Sequence, residues 1–402
     1  MVKAFSAIAR VFGRKNTLDN ILAELFQAGV KSGVTVNWKT ALEAAISYRC
    51  ARVLAEGIAQ VPFKLFRDDG KNRFPATDHP LYDLLAISPN ERQSSFEFRD
   101  TMMMHVVFTG GAFAFINRSG RNGEISELLQ YEPGAITVKR NGWDTEYEVV
   151  TNSGKKIVVP SRDMWHLRGP SWNGWMGLDG VKLAREAIGL SIAAEEYGAL
   201  FFRNGSTPSG LLSTDQQLAK EKAAELREAW EESNSGEKRL KTAVLWGGMK
   251  WMSLATPNDQ AQFLETRKFQ IEEVCRALGV NPLRAYYSDK TATYASAEQF
   301  FISHVVHDLM PWYVRIEQSA NLNLLTKEER KAGYYFKFIA NGLMRGSMKD
   351  RIAYYKDMVL IHAMKPNEVR ELEEMNPYDG GDEFPVLQGQ GVARSNEQGS
   401  GE

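Results

Sequence analysis

Residues 279–299 read Gly-Val-Asn-Pro-Leu-Arg-Ala-Tyr-Tyr-Ser-Asp-Lys-Thr-Ala-Thr-Tyr-Ala-Ser-Ala-Glu-Gln. This polar, turn-rich stretch lies between two segments of strong helical patterning, Asp259–Leu278 before it and Ala295–Leu325 after it. A loop gripped at both ends by long helices is more often a working part than a connector. Pro311 should kink the second helix, since proline lacks the N–H and clashes with the preceding turn.

Upstream, a Gly- and Trp-rich loop over 168–180 opens another long helix, Val181–Arg203, carrying Ala184, Ala187, Gly189, Ala193, Ala194, Gly198 and Ala199. Small residues let helices approach closely, and two readings stand: tight packing within the chain, or packing beside identical copies. Between the two long helices, 204–254 reads as a small αβ module. Thr214 and Gln217 form a capping-box pattern for a helix reaching about Glu232. Lys241–Trp246 and Met249–Leu254 flank Gly247-Gly248 as a hairpin. The charges on the module's helix fit a solvated face, with Trp230 either core or a partner contact.

The first part of the chain is α+β. A helix is expected over Thr40–Gln60, ended by Val61-Pro62, with a short strand at Phe63–Phe66. Further helices are expected over His79–Ala86 and Ser94–Thr109, and a strand over Ala112–Arg118. From Leu128 to Leu167 the pattern is β, with strands at Ile136–Lys139, Glu146–Thr151, Lys156–Val159 and Met164–Leu167. Tyr334–Ile339 is a strand, and Ser347–Ala363 and Pro366–Met375 are the last helices. The Gly-, Gln-, Ser- and Glu-rich tail has the composition of a disordered segment.

The length allows two or three domains. The formal net charge of −1 argues against a chain that grips nucleic acid by general phosphate neutralisation, although local basic patches stay open. Cys50 and Cys275, far apart and inside expected helices without CxxC spacing, read as buried free thiols of a reducing compartment. No apolar run approaches a membrane span. The N-terminal arm carries Lys3, Arg10, Arg14 and Lys15, and Arg10 interrupts the apolar run a secretion signal needs. The arm is either a frayed or docked helix or a contact for an acidic partner or membrane surface.

No phosphate-cradling loop, dinucleotide fingerprint or nucleophile elbow is present. His304, His307 and Asp308 cluster on one helix but lack a matching second set of metal ligands, so half-buried histidines are the simpler reading. The adjacent pairs Glu231-Glu232 and Glu373-Glu374 diverge by about 100° on a helix and form no acid/base dyad.

Several segments in order resemble the phage portal proteins of the HK97-like family. They are Ile58-Ala-Gln-Val-Pro-Phe63, His79-Pro-Leu81, Ser88-Pro-Asn90, Val107-Phe-Thr-Gly-Gly-Ala-Phe113, Gly174-Trp-Met-Gly-Leu178, Phe202-Arg-Asn-Gly205 with Pro208-Ser-Gly210, Phe263-Leu-Glu265, Glu273–Gly279 and Thr293-Tyr-Ala-Ser-Ala-Glu-Gln299. The most specific element is Lys365-Pro-Asn-Glu-Val-Arg370 with Asn376-Pro377 and Gly380-Gly-Asp382. The resemblance spans roughly 40–385. Two positions depart from it: His362 stands where the family often has Gly, and Gly111 where it tends to have Asn.

The resemblance implies an α+β portal-type subunit with a mixed α/β wing, two stem helices, a small αβ clip, a kinked long helix and a helical crown. Its divisions would be a basic arm (1–38), wing (39–180), stem helix (181–203), clip (204–257), second stem helix (258–278), tunnel loop (279–294), kinked long helix (295–333), wing strand and crown helices (334–385) and disordered tail (386–402). Such subunits form a homo-oligomeric ring, usually of twelve, at one vertex of the phage head, after assembly in the host cytoplasm. Double-stranded DNA passes through the ring during packaging and ejection. The implied partners are the terminase large subunit, a head–tail adaptor and the major capsid protein, with no membrane, enzymatic activity, metal or cofactor. Arg284, Tyr286, Tyr287, Lys290, Thr291 and Tyr294 would line the channel, the cations touching phosphates and the tyrosines either brushing the duplex or anchoring the loop. Trp230, Glu231, Glu232, Lys238 and Arg239 are the clip candidates for partner binding. A metal-dependent hydrolase or nuclease using His304, His307 and Asp308, or a head–tail adaptor of another fold, are the rival expectations.

Overall fold

The structure, a computed structural model, describes residues 30–119, 123–142, 144–151, 153–203, 210–214, 219–233, 248–253, 259–286, 294–340, 348–373 and 375–384. The single helix expected over Thr40–Gln60 is two. Helix α1 (Trp38–Glu43) is capped by Asn37, and α2 (Ala45–Ala59) restarts after Ala44, whose backbone is extended. α2 is buried on most of its surface, which suits its run of small and aliphatic residues. Strands β1 (Phe63–Asp68) and β2 (Arg73–Pro75) follow. Then come α3 (Pro80–Ala86), capped by His79, and α4 (Ser95–Thr109), opened by a full capping box between Ser94 and Glu97.

β3 (Gly111–Asn117), β4 (Glu127–Tyr131), β5 (Ile136–Asn141), β6 (Asp144–Val150), β7 (Lys156–Pro160) and β8 (Met164–Arg168) make two antiparallel three-stranded sheets, ordered β4-β3-β8 and β5-β6-β7. Their shared core contains Phe113, Tyr147, Val149, Val159 and Met164. His166 on β8 lies inside it. Its ring stacks on Phe113 with centroids 4.5 Å apart, and Nδ1 is 3.2 Å from the Tyr147 hydroxyl.

The helix expected over Val181–Arg203 is also divided, into a short turn α5 (Gly180–Leu183) and α6 (Arg185–Arg203). β9 (Gly210–Ser213), α7 (Lys220–Ser233) and β10 (Lys250–Ser253) form the inserted module, with β9 and β10 antiparallel. α7 starts at Lys220, six residues beyond Thr214, so Thr214 does not cap it. The strand expected over 241–246 lies outside the described residues. α8 (Asp259–Leu278) matches the expected range.

α9 (Tyr294–Ser303) runs through a π-helical segment, His304–Leu309, into α10 (Met310–Asn323). The irregularity expected at Pro311 is this widened turn: Met310 N–H donates to Val305 O, five residues back. α11 (Lys327–Lys331) leads to β11 (Tyr334–Phe338), which pairs with β1 to complete a third sheet, β11-β1-β2.

α10 lies against several of these elements. The Tyr313 hydroxyl donates to Gly57 O at 2.8 Å, and Trp165 Nε1 donates to Ser319 Oγ at 3.0 Å. Buried Glu317 accepts from Phe338 N at 2.9 Å and from Lys337 Nζ at 3.0 Å. A Cβ on Gly57 would sit 2.8 Å from Leu309 Cδ2, so a larger residue there would have to push the Leu309 side chain aside.

The compact unit that ends at Phe338 is followed by a second, from Ile339 onward. The latter holds α12 (Met348–Leu360) and α13 (Pro366–Leu372). α12 ends in a Schellman motif. His362 N–H donates to Val359 O, Ala363 N–H donates to Met358 O, and His362 has φ 59°. The position where the related family often carries glycine is thus a left-handed cap, and His362 occupies it while stacking on Phe384.

Two outcomes follow from this packing. Burial first, then the nearby Arg168, holds the His166 pKa down to about 3. The unfolded chain, with an ordinary histidine pKa near 6.5, therefore binds the proton more readily below that pH. The stability due to neutral His166 is complete above about pH 6.5 and declines as pH falls toward 3. At pH 5 the loss should reach roughly 2 kcal/mol. Urea midpoints measured from pH 7 to 4 should fall accordingly, and His166→Phe should flatten that part of the profile. At the left-handed cap, His362→Gly should leave stability unchanged or raise it by up to ~1 kcal/mol, whereas His362→Val should lower it by about 1–2 kcal/mol. Thermal melts of the three proteins give the order.

Candidate functional site

The loop that follows α8 is built by successive caps. Gly279 (φ 71°) ends α8, with Gly279 N–H donating to Arg276 O and Val280 N–H to Cys275 O. Asn281 then caps a 3-10 turn, Pro282–Ala285, through Leu283 N–H. Tyr286 ends it in the left-handed region at φ 61° and is 84% exposed, an unusual place for an aromatic residue.

α2 holds this loop root from the side. The Arg49 guanidinium lies 4.3 Å from the Tyr286 ring centroid and donates to Arg284 O at 3.3 Å. A cation over an aromatic face at this distance contributes about 0.5–2 kcal/mol. The next residue, Cys50, is buried with its sulfur 3.5 Å from that of Cys275 in the last turns of α8. The Arg284 side chain points elsewhere, its guanidinium 5.4 Å from the Phe301 ring. Where α2, α6, α8 and the loop meet there is a cavity of about 370 Å³, bordered by Arg49, Glu195, Arg267, Gln270 and Tyr286.

α6 and α8 are antiparallel neighbours. Gly180, just before α6, approaches Leu278 at the end of α8, while Glu195 pairs with Arg267 at 3.6 Å farther along. Both charged groups are well exposed, so the pair adds little stability. The module β9-α7-β10 is therefore carried at one end of the helix pair and the 279–286 loop root at the other. One of the small residues on α6 is explained within the chain. A Cβ on Gly189 would lie 2.6 Å from Val30 Cγ1 and 2.8 Å from Ser32 Oγ, so the chain's own segment near residue 30 occupies that space. Lys31 N–H donates to Glu186 Oε2 beside it.

Of the expected channel residues, Arg284 and Tyr286 are brought together by Arg49, and Tyr294 opens α9. Tyr287, Lys290 and Thr291 lie outside the described residues. In the module, Trp230 is half-buried on α7 and Glu231 and Glu232 lie in its last turn; Lys238 and Arg239 lie outside the described residues. His304 is buried, with Nδ1 2.7 Å from Asp308 Oδ2, and no group of three metal-ligating side chains occurs among the described residues. No helix among them is long and apolar enough to cross a membrane. Sequence reasoning missed Arg49 and the cysteine contact. Both depend on partners more than 220 positions away, which leave no local signal.

The described chain is thus an antiparallel helix pair with a module at one end and an anchored loop at the other, backed by a long interrupted helix. The family profile described as "Phage portal protein" matches residues 45–374. The chain is 26% identical over 352 residues to the portal protein of Enterobacteria phage HK97, covering 87% of this chain and 82% of that one. It is 28% identical over 397 residues to a probable portal protein of Streptomyces phage phiC31, covering 92% and 86%. In fold it is similar to an HK97-family phage portal protein from Corynebacterium diphtheriae, with a TM-score of 0.59 at 16% identity, covering 77% of this chain and 98% of that one. It is also similar to a subunit in the neck of a native gene transfer agent particle with C12 symmetry, with a TM-score of 0.54 at 20% identity over 85% and 92%. The chain belongs to the phage portal protein family, whose members are structural and non-enzymatic, and the hydrolase alternative is not favoured.

If Arg49 holds the loop root, Arg49→Ala should speed amide exchange at 283–286 by about ten-fold and leave the body of α2 unchanged. Hydrogen exchange with mass spectrometry reads both regions in one experiment.

Proposed function

We propose that this chain assembles into a closed ring, of twelve copies, at one vertex of a phage head and forms the channel for double-stranded DNA. The observation that carries this reading is an exposed apolar stripe on the long helix. Ile302, Val306, Met310 and Val314 recur every four residues and are each at least 40% exposed. The wider turn of the π segment offsets the drift that a spacing of four accumulates on an α-helix, keeping the four on one side. Such a stripe suits the heterologous contact a ring requires, where one face of each subunit meets a different face of the next. The similarity to portal proteins and to a neck subunit solved with C12 symmetry supports the same reading.

In this assignment α6 and α8 are the stem, and the tunnel loop over 279–294 faces DNA through Arg284, Tyr286, Tyr287, Lys290, Thr291 and Tyr294. The module over 204–257 is the clip, where Trp230, Glu231, Glu232, Lys238 and Arg239 meet first the terminase large subunit and later the head–tail adaptor. Residues 39–180 form the wing, which meets the major capsid protein, and α12 and α13 belong to the crown. Assembly takes place in the host cytoplasm and the ring remains in the virion. A net charge of −1 suits a conduit, because extensive phosphate neutralisation would arrest sliding DNA.

Electron microscopy of the purified protein, with its mass in solution, tests the ring. Rings with a central hole wide enough for duplex DNA are the expected result. The double variant Val306→Asp, Met310→Asp should shift the mass to monomer with an unchanged circular dichroism spectrum. Rings from that variant would show that the stripe is not the subunit contact, and monomers of the unaltered chain at every concentration and in the presence of capsid protein would remove the ring reading.

A further inference from the structure

Cys50 and Cys275 meet beside the loop root. Both residues are fully buried, they lie on different helices, and their sulfurs are 3.5 Å apart although 225 positions separate them. A disulfide needs the sulfurs to close by about another 1.5 Å. The neighbours of this pair are what give it consequence. Cys275 accepts the Val280 N–H that caps α8, and Arg49, adjacent to Cys50, holds Arg284 and Tyr286. α2 therefore meets the loop both before and after its turn.

We propose that Cys50 and Cys275 are a modification site: they form an intrachain disulfide on exposure to a low-molecular-weight disulfide, and the bond locks the root of the 279–286 loop to α2. The step balances as two thiol–disulfide exchanges. Cys275 thiolate attacks the external disulfide and releases one small thiolate. Cys50, deprotonated in turn, attacks the Cys275 sulfur of the mixed disulfide and releases the second. The protein loses two protons and two electrons, and the external disulfide is reduced to two thiols. The order follows from the contact. The S–H proton shared across this contact holds the Cys50 pKa up, as burial does too, and the same contact favours the thiolate on Cys275. Both sulfurs are buried, so the exchange proceeds through local opening of the last turn of α8, where Arg276, Ala277 and Gly279 are exposed. A reducing compartment keeps the pair as thiols and an oxidising medium closes it.

The test is incubation of the full chain with oxidised glutathione under native conditions, followed by intact mass, thiol titration and peptide mapping. The expected result is a loss of two mass units, free thiols falling from two to zero per chain, and a Cys50–Cys275 linked peptide that dithiothreitol reverses. Cys50→Ala and Cys275→Ala should each block the two-unit loss. Hydrogen exchange at 276–286 should slow by about ten-fold on oxidation. Persistent free thiols, a stable glutathione adduct at either cysteine or a chain-to-chain bond would overturn the site, and exchange unchanged by the bond would overturn the lock. None of these readouts depends on ring formation, so the outcome is separable from the portal assignment.

Discussion

The body of this protein depends on α10, and α10 depends on two buried polar contacts one turn apart. Tyr313 gives its hydroxyl proton to Gly57 O, and Glu317 receives Phe338 N–H. A buried donor or acceptor left unpaired costs about 1–3 kcal/mol, and more for a charged group, so each contact restricts the register of its partner as well as stabilising it. Together they set α2 and β11 on the same helix. β1 then follows because it pairs with β11 from Phe63↔Phe338 onward, and it leaves α2 by only a short turn. On another side of the helix, Trp165 bonding Ser319 and Arg315 bonding Gly169 O tie in β8 and the chain beyond it. Aromatic side chains seal the junction: Phe63 stacks on Phe338, which also meets Tyr313.

This frame explains where the loop root obtains its order. α8 alone could end at Gly279 and release a free segment. Instead α2, already fixed against α10 by Gly57, presents Arg49 and Cys50 to the last turns of α8 and to Tyr286. Local caps determine the path of the chain, and the side chains of α2 decide where that path lies. A left-handed tyrosine is costly on its own. Its persistence here goes with the Arg49 guanidinium over its ring and with the bond that the same side chain donates to Arg284 O.

Much of the fold was legible because its signals are local. The capping box at Ser94 and Glu97, the period-two strands between 136 and 168, and the unbroken helical pattern of Asp259–Leu278 each carry their reading within a dozen residues. The breaks were not legible. Nothing in the composition around Ala44 or Ala184 marks a helix end, since alanine favours continuation, yet the helices break there. Thr214 and Gln217 had the right spacing for a cap but the helix starts later, which is the usual failing of a four-residue motif without context. At Pro311 the cause was legible and the response was not. A missing N–H can be met by a kink, a broken helix or an enlarged turn, and here the chain takes the third. Of the candidate site, Arg284 and Tyr286 could be named from the loop's composition, whereas Arg49 could not, because an arginine on an amphipathic helix looks the same whether or not a loop lies over it.

The π segment answers two demands at once. Pro311 removes one donor, and α2 must approach closely enough for Leu309 to fill the space over Gly57. Re-spacing the hydrogen bonds from i→i−4 to i→i−5 meets the first demand without opening the helix, as the bond from Met310 to Val305 demonstrates. It also rotates the following turns, so that Tyr313 and Glu317 face inward while Met310 and Val314 face outward. A straight α-helix with the same sequence would bring one of these sets out of line. The inward set holds the subunit together and the outward set remains for a contact beyond it, so the internal packing and the apolar outer stripe are consequences of one backbone irregularity.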